Sequence, residues 1–265
     1  MARVLVACLA LAGLFILLIF AVRKPSSQEV IQKKLSVESG RPVAEAILRL
    51  EGKYGWVITY EDPRYVHDSE IADVTLEVRR DLEKYKPGEA PKVLVPRGGS
   101  LEFTYDVVPG TNLPLDPAKV VQRLLDAQAL RSNGGRFRLE SKSKIMHVIP
   151  TAMKNSDGTL VPQGSVLDTI ISLPAVDRTI YEKMESICAA ITRAGNMQVE
   201  LGTIPTNLFL QHQDHQGVVS QTAREVLVDT FEKMDYGTNL SWRLLYGPGT
   251  KKYILNIHIV SKHSD

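Results

Sequence analysis

Two small α+β modules in tandem, preceded by an apolar N-terminal helix, form the architecture that the sequence predicts. Three observations carry that expectation. Apolar residues recur at helical spacing in some segments and at period two in others. The order strand, helix, strand, then strand, helix, hairpin occurs once in the first half and again in the last hundred residues. A Gly, often beside an Asn, follows each predicted helix. The composition agrees: 44% of the 265 residues are hydrophobic and 23% are charged, which excludes a disordered or collagen-like chain. The net charge is +2, so no field of one sign is available to grip nucleic acid.

The nineteen residues from Val4 to Val22 carry no charge and no proline, with Arg3 before them and Arg23-Lys24 after. At about 1.5 Å per residue, such a helix matches a hydrocarbon core of roughly 30 Å. Residues 1–24 therefore read as a signal-anchor, since the apolar part of a cleaved signal is usually about 7–15 residues long. A signal peptide cut after Ile19-Phe20-Ala21 is the alternative. Leu5-Val6-Ala7-Cys8 looks like a lipoprotein box, but it precedes most of the apolar run. The expected address is a single-pass inner-membrane protein with a periplasmic soluble part, or a periplasmic protein if the segment is removed. Arg3, Arg23 and Lys24 account for the positive balance, so the soluble part is nearly neutral.

Residues 25–34 read as a linker and 35–152 as the first module. Leu35-Ser36-Val37-Glu38 alternates like a strand. Pro42 starts a helix with Val43, Ala46, Ile47, Leu50 and Tyr54 on one face; Gly55 stops it before the strand Trp56 to Tyr60. Residues 62–99 look like an insertion, in which Ala72 to Val78 could add an edge strand. Leu101 to Val107 alternates again. Asp116-Pro117 caps and starts a helix bearing Val120, Val121, Leu124, Leu125 and Leu130 on its apolar face, Asn133-Gly134-Gly135 ends it, and Phe137 to Glu140 pairs with Ile145 to Ile149 as a hairpin. Residues 153–164, with Asn155-Ser156-Asp157-Gly158, are turn-rich and mark the boundary.

The second module, 165–262, repeats the arrangement. Val166 to Leu173 reads as a strand and Thr179 to Ala194 as a helix with Ile180, Met184, Ile187, Cys188 and Ile191 inward. Gly195-Asn196 stops it before the strand Met197 to Leu201. Leu208-Phe209-Leu210 reads as a strand, Ser220 as the cap of a helix burying Val226, Leu227, Thr230, Phe231 and Met234, and Gly237 as its stop. Leu240 to Leu245 and Tyr253 to Ile259 close a hairpin over Gly247-Pro248-Gly249. Cys8 and Cys188 are the two cysteines, placed so that no disulfide forms within the soluble part, and Cys188 suits a buried apolar site.

The phrase Arg41-Pro42-Val43-Ala44-Glu45-Ala46-Ile47-Leu48, followed by Gly55 and the strand Val57 to Tyr60, resembles the opening of the secretin and TonB short N-terminal domain. Leu115 to Leu125, Gly134 and the hairpin after it echo the rest. The resemblance covers most of Leu35 to Thr151, and more faintly Val166 to Ile259. It implies a periplasmic, non-enzymatic docking domain associated with outer-membrane secretion channels or siderophore receptors. The long insertion after Tyr60 departs from the family pattern.

Motifs for chemistry are sparse. His212-Gln213-Asp214-His215 offers two imidazoles and a carboxylate that could serve zinc, although no His-Glu-x-x-His helix and no cysteine pair accompanies them. His67-Asp68-Ser69-Glu70 with Asp73 lacks the spacing and central Gly of a calcium loop. No nucleophile elbow or phosphate loop occurs; Gly247-Pro248-Gly249-Thr250-Lys251 has the spacing of a hairpin turn. Arg131, Arg136, Arg138, Lys142 and Lys144 make the densest basic stretch, suited to solvent or to an acidic partner surface. The sequence thus predicts a membrane-anchored envelope protein without catalytic residues or cofactor, docking a protein partner. A metal-dependent hydrolase using His212, Asp214 and His215, or a small-ligand sensor, is the alternative.

Overall fold

The computed structural model describes residues 30–86, 88–142, 144–195, 197–234 and 239–261. The apolar run 4–22 and the helix stop expected at Gly237 lie outside them. The described chain is mixed α+β. Its first half contains β1 (Ile31–Ser39), α1 (Pro42–Tyr54) and β2 (Val57–Glu61), then an insertion with β3 (Ile71–Asp73), α2 (Thr75–Val78) and β4 (Leu94–Pro96). It continues through β5 (Gly99–Val107), α3 (Pro117–Ala129), β6 (Arg136–Lys142) and β7 (Ile145–Lys154). The second half contains β8 (Leu160–Pro162), β9 (Ile170–Leu173), β10 (Arg178–Thr179), α4 (Ile180–Ala194), β11 (Val199–Leu201) and α5 (Thr206–Gln211). It ends with β12 (Gln213–Asp214), β13 (Val218–Thr222), α6 (Ala223–Glu232), β14 (Asn239–Gly247) and β15 (Lys252–Val260).

Local signals set the helices. Pro42 opens α1, and Gly55 closes it in the left-handed region at φ 71°, its N–H donating to the Glu51 carbonyl. Asp116 accepts from the Lys119 amide to cap α3. Thr179 with Glu182, and Thr222 with Glu225, form capping boxes at α4 and α6. Thr222, not Ser220, is thus the cap of α6. Ser220 lies at an irregularity in the β13 pairing with φ 50°.

The two halves pair their strands in the same way. In the first, β1 pairs antiparallel with β5, while β2 runs parallel to β7 and β6 antiparallel to it. In the second, β9 pairs antiparallel with β13, while β11 runs parallel to β15 and β14 antiparallel to it. Each half encloses its own core: Ile47, Leu50, Phe103 and Leu124 in the first, Met184, Ile187, Leu227 and Trp242 in the second. Truncating a fully buried leucine such as Leu50 to Ala costs about 2–5 kcal/mol.

The halves do not stand apart. One sheet runs through both, in the order β11-β15-β14-β2-β7-β6, with β8 beside the end of β7. The junction is parallel, Arg243 opposite Tyr60 and Leu244 opposite Glu61, and the Asp62 amide donates to the Leu244 carbonyl at 2.8 Å. Strand side chains alternate between faces. Ile58 and Tyr60 therefore enter the first core, while on the other face Thr59 meets His147 and Glu61 meets Arg224 of the second half. Trp242 and Leu244 likewise enter the second core, while Arg243 and Leu245 turn to the first. The helices of the two halves thus lie on opposite faces of the shared sheet.

Several expected elements differ. The stretch 153–164 contains a hairpin: β7 runs on to Lys154, a turn follows, and β8 pairs back with it at Ala152, Met153 and Lys154. The linker 25–34 ends early, since β1 begins at Ile31 with its polar side chains outward. Val166–Asp168 is a 3-10 turn because the Ser165 hydroxyl accepts from the Leu167 amide. Leu208, Phe209 and Leu210 lie in α5, where the Phe209 amide donates to Pro205; a three-residue apolar run fits either period. Of Ala72 to Val78, expected as an edge strand, Ala72 and Asp73 belong to β3, which pairs with β4 of the same insertion, and Thr75–Val78 turns helical. Leu130, expected on the buried face of its helix, lies just past the end of α3 and is exposed.

Candidate functional site

The histidine cluster disperses in the fold. His212 follows α5, its Nδ1 2.8 Å from the Leu208 carbonyl oxygen. Asp214 turns inward from β12 and pairs with Lys183 at 3.0 Å, both side chains nearly buried. His215 lies on the surface, 2.6 Å from Asp177. The carboxylate is therefore neutralised by an ammonium, and the imidazoles take separate neighbours. Among the described residues no group of three or more His, Cys, Asp or Glu could hold a metal ion. The second candidate loop is also committed internally: His67 caps the turn at Ser69, Glu70 accepts from the Gly134 amide at 2.7 Å, and Asp73 accepts from the Thr75 amide. The Cys188 thiol is buried and pushed up to about 12 by desolvation, which removes its nucleophilic form.

What the fold does assemble is a seam of carboxylates along the β2 edge. Glu51, at the end of α1, accepts from Arg243 at 2.9 Å and faces His258 Nε2 at 3.0 Å. Glu61 accepts from the Ser165 hydroxyl at 2.5 Å, and its Oε1 touches Arg224 Nη1 at 2.5 Å without hydrogen-bond geometry. Arg224 also binds Asp168. Asp62 accepts from Arg41 at 2.6 Å, Tyr60 at 2.8 Å and the Tyr246 amide at 2.8 Å. Three buried acids on the first half thus meet cations or donors supplied largely by the second. Burial raises the Glu61 carboxyl above its ordinary range, and Arg224 and Ser165 pull it back. Beside the seam, His147 is buried against Thr59 Oγ1 at 2.8 Å and lies against Trp242 in a tilted ring contact with centroids 5.4 Å apart. Desolvation, with Arg224 nearby, holds its imidazole down to about 4.

This seam shows how the two halves join. The strand β14 opens the final hairpin of the second half, and it docks on the β2 edge with Arg243 reaching Glu51. Its counterpart in the first half is β6, the last strand of the sheet. Arg138 in β6 holds the place of Arg243 in β14, four residues before the last paired residue of its strand. The expected basic stretch partly lies here. Arg138 binds Glu140 at 2.8 Å, whereas Arg131 and Arg136 donate to carbonyl groups.

The opposite end of the sheet, β11, corresponds to β2. The Thr192 hydroxyl accepts from the Val199 amide at 2.9 Å, just as Glu51 accepts from the Ile58 amide. Thr192 therefore stands where Glu51 stands, and that edge lacks the acid. After three residues β11 stops at Gly202, where a side chain would strike Asn256. A short edge resists pairing, so β6 presents the longer open edge of this sheet.

Compared with known proteins, the chain matches no family model, and it shows no match to a curated protein or a solved structure. Sequence patterns missed the seam residues Glu51, Glu61, Asp62, Arg224, Arg243 and His258. Glu61 reads as a polar residue after the strand Trp56 to Tyr60 and Asp62 as the start of the insertion, yet both are buried; the one available signal was their place directly after that strand.

Proposed function

We propose that the chain is a non-enzymatic, membrane-anchored envelope protein whose two α+β modules dock another protein, in a secretion or transport assembly. The observation that carries this is the pairing of β14 with β2. The molecule joins its own halves by one open strand edge, and β6 repeats that edge with no strand beyond it in the sheet. Adding a strand to such an edge supplies main-chain hydrogen bonds, while flanking side chains select the partner. Both halves pair their strands in the same way, which supports the resemblance to the secretin and TonB short N-terminal domain and with it the same reading. The Val4 to Val22 run supplies the membrane address, with the modules on the periplasmic side.

The test is site-specific photo-cross-linking in intact cells with the full chain, placing the reactive residue at Arg138 or Lys142 in β6 and, as control, at Leu130. A discrete protein adduct from β6 and none from Leu130 is the expected result. Equal or absent adducts from β6 overturn docking at this edge. The metal-dependent alternative is tested separately: stoichiometric zinc in the purified chain that His212→Ala removes would replace this reading.

A further inference from the structure

We propose that one pole of the first half, made by the start of β1 and the loop 108–115, rests on the lipid surface with Leu113 and Leu115 entering the headgroup region. The inference depends on the membrane anchoring proposed above. In the β1–β5 ribbon Ile31 lies opposite Val107. The point where the chain arrives from the apolar run and the loop that leaves β5 therefore share one end of the ribbon. From Val22 to Val30 the chain has eight residue steps, which reach at most about 30 Å when extended. That end cannot stray far from a bilayer holding residues 4–22.

The same end presents apolar side chains to solvent: Val30, Ile31, Leu113 at 46% exposure and Leu115 at 56%. The loop is tied down rather than loose. Its Val108 amide donates to the Leu113 carbonyl at 2.9 Å, the Asn112 amide to the Val108 carbonyl at 3.1 Å, and the Leu113 amide to Thr111 Oγ1 at 3.2 Å. Those bonds fix the turn that carries the two leucines outward. Val30 and Leu115 line one recess of about 130 Å³ with Lys119, Arg123, Asp106 and Asp116, so long amphipathic side chains and their acid partners flank the apolar centre. That combination suits the boundary between headgroups and acyl chains. Arg123 is paired with Asp106, and Lys119 lies 3.8 Å from Asp116, so the contact is apolar and needs no anionic lipid.

The full chain carrying Cys8→Ser, with Cys188 left buried, is placed in phosphatidylcholine vesicles containing a nitroxide-labelled lipid. Single cysteines at Leu113, Leu115 and Leu130 carry an environment-sensitive fluorophore. Leu130 is 91% exposed and sits at the far end of α3, about 20 Å along the helix from Leu115. The labels at 113 and 115 are expected to shift to the blue and lose most of their emission to the lipid nitroxide, while the label at 130 is unaffected. Labels at 113 and 115 that behave like the one at 130, on protein that floats with the vesicles, overturn the proposal and leave the anchor intact. Protein that fails to float overturns the anchor, and the proposal falls with it.

Discussion

Arg224→Met should be among the most damaging single substitutions outside the apolar cores. Arg224 and Glu61 touch at 2.5 Å with their side chains 9% and 1% exposed, so removing the guanidinium leaves a buried carboxylate facing only Ser165. Breaking one side of such a pair costs about 3–5 kcal/mol. The lost hydrogen bond to Ser165 and the lost contact with Asp168 add to the cost. Replacing both members, Arg224→Met with Glu61→Leu, removes the stranded charge, and the double variant should recover about 2–3 kcal/mol of coupling. Urea unfolding followed by circular dichroism reads all four stabilities of the cycle.

The pH dependence adds a second readout. Burial already raises the Glu61 carboxyl, and losing Arg224 raises it further. The folded variant then binds a proton at higher pH than the unfolded chain does, so its deficit relative to the parent should shrink as pH falls from 8 to 5. A cost below about 1 kcal/mol, or a double variant no better than the worse single one, would refute the seam as a coupled, buried structure.

Other consequences are independent of that pair. His147, held down to about 4 when folded against 6.5 in the open chain, gives stability that is present above pH 6.5 and lost as pH falls toward 4. About 3 kcal/mol is at stake at roughly 1.4 kcal/mol per unit, and His147→Gln should flatten that slope in a pH series of urea midpoints. Gly55→Ala forces a Cβ into a left-handed φ of 71° and should cost about 1–2 kcal/mol, read from the same unfolding curves. Cys188 should stay unreactive toward a thiol reagent at pH 8 until denaturant is added, when one further thiol appears. Reaction at equal rate in the native protein would contradict its burial.

What the sequence revealed was what local physics determines. Pro42 with Gly55, and Asp116 with Pro117, mark helix ends by their own backbone needs, and both hairpins announce themselves by alternation. Ser220 and Thr222 are both cap formers, and Glu225, three residues after Thr222, is what assigns the cap of α6 to Thr222. The β2–β14 junction was invisible. It joins strands far apart in the chain through two residue pairs, and parallel pairing leaves no turn between them to read. The buried acids follow from it: Glu61 and Asp62 are polar letters at the end of a strand, and only the arrival of Arg224 and Tyr246 makes burial affordable. The dispersal of the histidine cluster has the opposite origin. Spacing put His212, Asp214 and His215 together, but Lys183, inward on the same face as Met184 and Ile187, claimed the carboxylate.

The assignment of β6 as a docking edge depends on the halves sharing one sheet. Amide hydrogen exchange with mass readout across a urea series tests that directly. Peptides from α1 and β2 and peptides from α6 and β14 should open together, with one free energy and one urea slope, because the seam makes them a single cooperative unit. Two separate opening energies, with β2 and β14 exchanging as free edges, would contradict the shared sheet.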